Sequence, residues 1–287
     1  MGVNGNAQFI HQQLRERHME ISGGWYQIRI ALESLLDNLF ALRSESFFEF
    51  DSLLSIAEIN SIGYVRNFPH LTCLMCSIEE GQLESFARGE NTISAEYRVA
   101  GVDMALLPAA CYKVYMGLSG ERLDSPRVVG CIAKCFRHED KALDAYRSIN
   151  FTMKEFVCLG NADDAQLHIE TGFAKIDRLM RHLGIQFSCE VASDPFFDSA
   201  SSLATLSKLS PTKREILFQN HAIASMNFHR NYFGDKFDIL IDSQPVNTSC
   251  VAFGIERWIS MFKDVFETPI NALTAISSFN YHLPQQM

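Results

Sequence analysis

Two strand-like segments, separated by more than a hundred residues, each lead into an arginine beside an acid. Residues 131–136 continue into Arg137 and Glu139, and residues 248–253 continue into Glu256 and Arg257. Because arginine keeps its charge and grips oxygen atoms with parallel N–H groups, two such residues are suited to a polyphosphate. Either segment alone is better explained by surface charges at the end of a buried strand. The two segments occur in this order, each after an apolar run, and together they favour a functional site.

These segments resemble motifs 2 and 3 of the class II aminoacyl-tRNA synthetases, which make aminoacyl-adenylates from ATP. In that reaction an amino-acid carboxylate attacks the α-phosphate, and fixed guanidinium groups stabilise the negative charge that builds on the phosphate oxygens. A third strand-like segment, 149–159, carries Phe151 and Glu155 four residues apart, so that both side chains face the same side. An aromatic ring at Phe151 can stack on adenine.

The composition is that of a globular chain with a sizeable core. Of the 287 residues, 47% are apolar and 22 are phenylalanine, which predicts a folded protein. Since no apolar run reaches about 18 residues and residues 1–18 lack an apolar signal segment, we expect neither a membrane span nor export. The eight cysteines then indicate reduced thiols and a cytoplasmic location. We predict one domain over residues 1–287, with a small insertion near 199–213.

The net charge of the chain indicates whether a nucleic acid is among its binding partners. The chain has 25 Lys and Arg against 34 Asp and Glu, a formal net charge of −9. A protein that grips a nucleic acid along its backbone needs a strong basic patch, and the sequence has no polybasic stretch. We therefore expect no nucleic-acid partner.

Periodicity predicts strands joined by polar loops, with helices packed on them. Apolar residues at helical spacing predict amphipathic helices over 25–42 and 162–183. Asp51 is expected to cap a helix that runs to about Asn60, residues 72–78 to form a strand, and Ser77 to cap the helix after it. Because strands do not alternate strictly with helices, the pattern indicates an α+β fold, an antiparallel β-sheet flanked by helices.

Two sets of residues that include cysteines are candidates for a metal site, one local in the sequence and one long-range. Cys73 and Cys76 have the spacing of half a zinc ribbon, but no second pair follows at a useful distance, so we interpret them as two buried thiols. No local spacing unites Cys111, Glu155 and Cys250, which from the residues alone would be three buried core residues. Two thiolates and a carboxylate would also suit a tetrahedral zinc ion with its fourth position open for a substrate amine.

The resemblance becomes specific over residues 63–262. There the chain is similar to the amino acid:[carrier protein] ligases, truncated relatives of the methanogen-type seryl-tRNA synthetases. The matching segments are 63–71 (motif 1 region), 107–112 (first zinc-ligand segment), 136–155 (motif 2), 193–197, 224–229 and 250–257 (motif 3). The resemblance implies a single catalytic domain like that of the class II aminoacyl-tRNA synthetases.

The resemblance also implies roles for individual residues. Cys111, Glu155 and Cys250 would bind zinc, which would hold the substrate amine. ATP, with Mg²⁺, would be bound by Arg137 at the α-phosphate, Glu139 at the adenine edge, Phe151 at the adenine face, Arg257 at the γ-phosphate and Arg147 as an additional phosphate contact. Arg137 and Arg257 would be the catalytic residues, and Ser225 and Asn227 would bind the amino acid.

The implied activity is that of a ligase that forms a carbon–sulfur bond. A small amino acid, glycine or alanine, would be activated by ATP as the aminoacyl-adenylate and passed to the phosphopantetheine thiol of a carrier protein. Two alternatives stay open: a tRNA-charging enzyme like the seryl-tRNA synthetases, and a non-catalytic paralogue that kept the fold. We also expect a homodimer through the helix that begins at Trp25 and the segment 68–69, and carrier docking at Lys208, Lys213 and Arg214.

Overall fold

The structure of the chain is a computed structural model that describes residues 21–42, 44–93, 101–138 and 144–279. Its strands are β1 (Phe47–Glu49), β2 (Leu53–Ser55), β3 (Leu74–Met75), β4 (Met104–Leu106), β5 (Arg122–Leu123), β6 (Arg127–Phe136), β7 (Asn150–Gly160), β8 (Ser188–Ala192), β9 (Lys213–Phe218), β10 (His221–Arg230), β11 (Leu240–Ile241), β12 (Gln244–Pro245) and β13 (Asn247–Gly254).

The α-helices are α1 (Gly24–Phe40), α2 (Ile56–Ser61), α3 (Tyr64–Asn67), α4 (Leu83–Ala87), α5 (Cys111–Gly117), α6 (Ala162–His182), α7 (Ser202–Leu209), α8 (Tyr232–Lys236), α9 (Ile255–Phe266) and α10 (Pro269–Ser277). Short 3₁₀ turns occur at Ser44–Ser46, Pro69–Leu71 and Glu80–Gln82. Of the helices in the described ranges, none combines the length and apolarity that crossing a bilayer requires.

A seven-stranded sheet in the order β1-β6-β7-β13-β10-β9-β8 forms the centre of the fold. Strand β1 pairs with β6 in parallel, and the other neighbouring pairs are antiparallel. The β9–β10 hairpin turns at Gln219 and Asn220, both of which have positive φ angles. This antiparallel sheet with helices packed on it confirms the predicted α+β class.

One face of the large sheet is covered by α1, α6, α9 and α10. Helix α1 buries its residues at helical spacing, namely Ile28, Leu32, Leu35, Leu36 and Leu39. Helix α6 begins with a capping box between Asn161 and Asp164. Gly172 lets α6 approach the sheet, because a Cβ atom there would lie 2.7 Å from a methyl carbon of Val251.

The opposite face carries a second apolar core beneath α2, α3, α5 and α8 and two small sheets, β2-β4-β3 and β12-β11-β5. Alternation along β13 separates the two cores. Val251 and Phe253 pack with the four covering helices, whereas Cys250 packs on the opposite face. The same alternation along β7 sends Phe156 to the helices and Glu155 the other way.

The segment after β1 differs from the helix predicted over 51–60. Asp51 accepts a hydrogen bond from the Leu53 N–H at 2.9 Å and leads the chain into β2, which pairs with β4. The helix begins only after Ser55, whose hydroxyl accepts from the Glu58 N–H at 3.1 Å. Pairing with a distant strand therefore overrides the local helical pattern.

Further local predictions between β2 and α5 are wrong. Only Leu74–Met75 of the segment 72–78 pairs as a strand, and Ser77 donates to a carboxylate oxygen of Asp103 at 2.6 Å instead of capping a helix. Cys73 is half-buried and Cys76 is exposed, so this pair is not a pair of core thiols. Short pairing segments of this kind carry too few residues for periodicity to identify them.

Residues 199–213, the segment interpreted as an insertion, contain α7. The Ser201 hydroxyl caps this helix by accepting from the Ala204 N–H at 3.3 Å. The Lys208 ammonium donates back to the Ser199 carbonyl at 3.2 Å. Leu206, in the last turn of α7, lines the cavity described below.

Candidate active site

A cavity of about 850 Å³ opens over the face of the large sheet that lies opposite the four covering helices. Strands β7, β13 and β10 contribute to its floor, and α3, α5, α7 and the segment 194–196 contribute to its walls. A volume of this size suits a nucleotide together with a small second ligand.

Three buried side chains of metal-ligand type meet at the floor of this cavity. Glu155 comes from β7, Cys250 from the neighbouring strand β13, and Cys111 from the first turn of α5. The two sulfur atoms and a carboxylate oxygen lie within 4.8 Å of one another. The structure therefore brings together the three residues that no local spacing unites.

Hydrogen bonds and burial shift the pKa values of the three groups in this cluster. Glu155 Oε1 accepts from the backbone N–H groups of Ala110 at 2.8 Å and of Cys111 at 3.1 Å. Burial, reinforced by the charge of Cys250, raises the pKa of Glu155 to about 8. The hydrogen bond between the two sulfurs raises the pKa of Cys111 and lowers the pKa of Cys250. Of the two thiols, Cys250 is therefore the one that loses its proton more readily.

This donor set fits a zinc ion. Zinc binds thiolate sulfur and carboxylate oxygen, and catalytic zinc sites have three protein ligands with a fourth position open. Three acidic groups packed this closely repel one another when all are ionised, and a divalent cation would balance their charge. Because all three residues border the cavity, the fourth position would face the space for a substrate.

Ser225 and Asn227 lie beside the cluster on β10, and both line the cavity. Asn227 pairs with Cys250 across β10 and β13. Its Nδ2 group lies 3.4 Å from Cys250 Sγ and 3.4 Å from Ser225 Oγ. The two residues predicted to bind the amino acid are therefore next to the predicted amine position, and Asn227 also contacts a metal-ligand sulfur.

Arg137 and Phe151 form a pair on the cavity wall. Arg137 Nε donates to the Pro108 carbonyl at 3.0 Å, and its guanidinium carbon lies 5.3 Å from the centroid of the Phe151 ring. Both contacts orient the guanidinium. Its Nη1 atom makes no hydrogen bond within the part of the chain that is described, so a donor remains for a ligand in the cavity.

Arg257 lies on α9 at another part of the same cavity wall. Its Nε donates to the Tyr146 carbonyl at 2.7 Å, and its Nη1 donates to the Ala222 carbonyl at 2.7 Å. These carbonyls belong to the loop after β6 and to the start of β10. Two separate segments therefore fix the orientation of this guanidinium.

Glu256, next to Arg257, is a site residue to which the sequence reasoning assigned no role. Its carboxylate is buried and accepts from the Thr152 N–H at 2.6 Å, the Thr152 hydroxyl at 2.8 Å and the Lys134 ammonium at 2.6 Å. These contacts tie the first turn of α9 to β6 and β7. An acid directly before a predicted functional arginine was the available signal, but its partners lie more than a hundred residues away.

The two remaining predicted ATP contacts belong to the loop between β6 and β7. Glu139 lies outside the described residues. Arg147 exchanges backbone hydrogen bonds with Asp144 at 3.0 and 3.2 Å, and it is not among the described residues that line the cavity. A contact between Arg147 and phosphate stays a prediction.

Lys213, one of the three residues predicted to dock the carrier, is ion-paired and turned into the cavity. Its ammonium lies 3.0 Å from Asp194 Oδ1 and 3.0 Å from Glu215 Oε1, and its side chain lines the cavity. The reason is the register of the β9–β10 hairpin, which places Lys213 opposite Asn227. Counting back from the turn at 219–220 would have paired Lys213 with Met226. The register shift between Ala222 and Ala224 brings Lys213 opposite Asn227 instead. Docking at Lys208 and Arg214 stays a prediction.

No protein-family model matches this sequence, but two curated relatives from Bradyrhizobium diazoefficiens are similar to it. Amino acid–[acyl-carrier-protein] ligase 1 is 32% identical over 271 residues, which cover 85% of this chain and 81% of that protein. Amino acid–[acyl-carrier-protein] ligase 2 is 32% identical over 245 residues, which cover 77% of this chain and 71% of that protein.

The fold is similar to solved structures of class II synthetases. The M. kandleri SerRS in complex with A. aeolicus tRNASec has a TM-score of 0.68 at 20% identity, over 87% of this chain and 55% of that one. The seryl-tRNA synthetase from Pyrococcus horikoshii complexed with ATP has a TM-score of 0.60 at 14% identity, over 89% of this chain and 56% of that one. The chain thus spans little more than half the length of these synthetases. At these identities the likeness shows the fold, and it confirms the predicted class II catalytic-domain architecture.

Proposed function

This chain belongs to the family of amino acid:[acyl-carrier-protein] ligases, and we propose that it activates glycine or alanine with ATP and passes it to a phosphopantetheine thiol. As a member of that family it is a ligase whose reaction joins an amino acid to a carrier protein. The observation that carries the finer proposal is the buried cluster of Cys111, Glu155 and Cys250 in a cavity that is also lined by Arg137 and Arg257.

Activation is the first of two steps. A carboxylate oxygen of the amino acid bonds to the α-phosphorus of ATP, and the bond from that phosphorus to pyrophosphate breaks. Arg137 at the α-phosphate and Arg257 at the γ-phosphate stabilise the developing charge, which their fixed hydrogen bonds favour because little reorganisation is needed. Phe151 offers its ring to adenine, and ATP is used as its magnesium complex.

Transfer is the second step. The sulfur of the phosphopantetheine arm bonds to the carbonyl carbon of the adenylate, the bond from that carbon to the AMP oxygen breaks, and the thiol proton is released. A thiol on a long flexible arm can reach a deep site without a large protein footprint. The net charge of −9 supports such an acceptor over tRNA, whose backbone needs a basic surface.

The amine end of the substrate lies at the cysteine–glutamate cluster. Cys111, Glu155 and Cys250 would hold a zinc ion, which when bound supplies a Lewis-acid position for a neutral amine. Asn227 borders this position, and the charged Lys213 lies on the next strand. A large apolar side chain would have to desolvate these polar groups, which supports glycine or alanine.

ATP–pyrophosphate exchange across the twenty amino acids tests the activation step. We expect exchange that depends on glycine or alanine, in a sample with close to one zinc per chain. If none of the twenty amino acids supports exchange, a non-catalytic paralogue would be favoured. Exchange with a large side chain only would contradict the proposed substrate.

The acceptor is tested by incubating the enzyme, ATP and the preferred labelled amino acid with a holo-carrier protein, the same carrier without phosphopantetheine, and total tRNA. We expect label on the holo-carrier alone. Label on tRNA would favour the tRNA-charging alternative. Equal label on both carrier forms would contradict transfer to the phosphopantetheine thiol.

A further inference from the structure

Strand β10 departs from regular pairing at His229, directly beside the cluster. The register with β13 shifts between Phe228 and Arg230, so that His229 is the extra residue of a β-bulge. Arg230 then has a φ of +55°, a conformation that residues other than glycine adopt at a cost. Bulges are frequent next to functional sites, and His229 lines the cavity together with Asn227, two residues before it.

The imidazole of His229 contacts three polar groups. Its Nε2 lies 3.9 Å from Cys250 Sγ, and its Nδ1 lies 3.3 Å from the Tyr115 hydroxyl and 3.2 Å from the Thr248 hydroxyl. Either hydroxyl can donate to the single lone pair of Nδ1. The tautomer with its proton on Nε2 then satisfies both ring nitrogens, because Nε2–H can donate to the sulfur.

Buried aromatic rings hold this imidazole in place. Tyr115 is fully buried and stacks on Phe233 with the ring centroids 4.1 Å apart. The His229 ring packs edge-on against both, with centroid distances of 6.0 Å to Tyr115 and 5.1 Å to Phe233. The ring plane of His229 is therefore set by its surroundings and not only by the contact with Cys250.

We propose that His229 is a positioning residue for the metal centre, whose Nε2–H group holds Cys250 Sγ toward Cys111 and Glu155. Asn227 supplies a second donor, at 3.4 Å from the same sulfur, so that two side chains of β10 orient one ligand of β13. Groups that hydrogen-bond a metal ligand keep it in its binding orientation and change metal affinity by about 10- to 100-fold. The inference rests on the proposed function, because it takes from it the ligand set.

Two variants distinguish the role of the Nε2–H donor from that of Nδ1. In His229→Gln the amide nitrogen can reach the position of Nε2 and keep the donor to Cys250. In His229→Asn the shorter side chain reaches only the region of Nδ1, and the donor is lost. Zinc affinity is measured by competition with a chromophoric chelator, and the sulfur-to-metal charge-transfer band of cobalt-substituted protein reports directly on the thiolates.

We expect His229→Gln to bind zinc within about 3-fold of the wild-type affinity, and His229→Asn to bind it about 10- to 100-fold more weakly with a shifted charge-transfer band. His182 is the matched control. Its Nε2 lies 3.0 Å from the Ser278 hydroxyl, between α6 and the end of α10, so His182→Asn should leave zinc affinity unchanged.

Equal zinc affinity of the wild-type, Gln and Asn proteins would overturn the inference, and so would equal weakening in both variants. A wild-type protein that holds no zinc would overturn the inference together with the metal centre. If the wild type binds zinc but lacks amino-acid-dependent exchange, the proposed function fails, and the Gln-to-Asn comparison still decides the role of His229.

Discussion

Arg257 shows how the fold fixes the orientation of a single charged side chain. Its guanidinium is held by the carbonyls of Tyr146 and Ala222, both at 2.7 Å, and the neighbouring Glu256 anchors its helix. Arg137 is oriented in the same way by the Pro108 carbonyl. In the proposed reaction both donors would be aligned before the substrate binds, which is how preorganised groups stabilise a transition state.

We expect Arg257→Ala and Arg137→Ala each to cost about 3 kcal/mol or more of transition-state stabilisation, since each removes a preorganised charge donor. The measurement is kcat/KM for ATP in pyrophosphate exchange. Arg181→Ala is the control, because Arg181 pairs with Asp177 on the exposed side of α6. Near-normal exchange in both test variants would mean that the two motifs are misinterpreted.

Cys250→Ser tests the metal cluster at the same scale. The serine hydroxyl is a poor zinc ligand, so we expect the variant to lose both bound zinc and exchange activity while it keeps its fold. Zinc content by mass spectrometry and far-UV circular dichroism measure the two effects. Cys189→Ser, on the edge strand β8, should keep its zinc. A metal-free wild type with full activity would refute the ligand set.

At the scale of elements, α6 is joined to the sheet by a buried polar contact as well as by apolar packing. The ring of His168 donates from Nε2 to the Phe156 carbonyl of β7 at 2.9 Å. Burial is the main cause that lowers the pKa of His168 below its ordinary value of 6.5. The neutral ring is therefore the form that holds helix and strand together.

The burial of His168 predicts a pH dependence of stability. As pH falls through about 6.5, His168 becomes protonated in the unfolded chain but stays neutral in the folded chain. The folded state therefore loses stability relative to the unfolded state. We expect the free energy of unfolding to fall more between about pH 7.5 and pH 5 in the wild type than in His168→Gln. Denaturant unfolding at both pH values measures it. Parallel losses in the two proteins would contradict the assignment.

At the scale of the whole molecule, we propose that the chain is a homodimer. Tyr26 and Ile30 on α1 and Phe48 on β1 are about half exposed, and β1 is an edge of the large sheet. Phe68, which was expected to contribute, stacks on Phe196 of the same chain at 5.1 Å. The exposed apolar residues of α1 and β1 therefore offer a better surface for the dimer interface than the segment 68–69 does.

Light scattering should give twice the chain mass, and Ile30→Asp should shift the protein toward monomer because it buries an unpaired charge in the interface. Leu209→Asp changes an equally apolar, exposed residue on α7 and should leave the dimer intact. A stable and active wild-type monomer would refute the dimer.

The sequence by itself determined the features that depend on near neighbours. Apolar spacing of about 3.6 residues identified α1 and α6, strand alternation placed Phe151 and Glu155 on one face, and the two arginine-containing segments pointed to an ATP site on an α+β fold. Each of these signals lies within a few residues of the chain, where the backbone period alone relates the side chains.

The tertiary structure alone decided which distant residues meet. The register of β7, β13 and β10, together with the docking of α5, brought Cys111, Glu155 and Cys250 within 4.8 Å. The register of β9 against β10 turned Lys213 into the cavity, and His229 lies at a bulge of β10 beside Cys250. Pairing with β4 overrode a local helical pattern after Asp51. The physical reason is common to all four: strand pairing and helix docking depend on contacts summed over the whole core, and a shift of one residue in any register would reverse which side chains face the site.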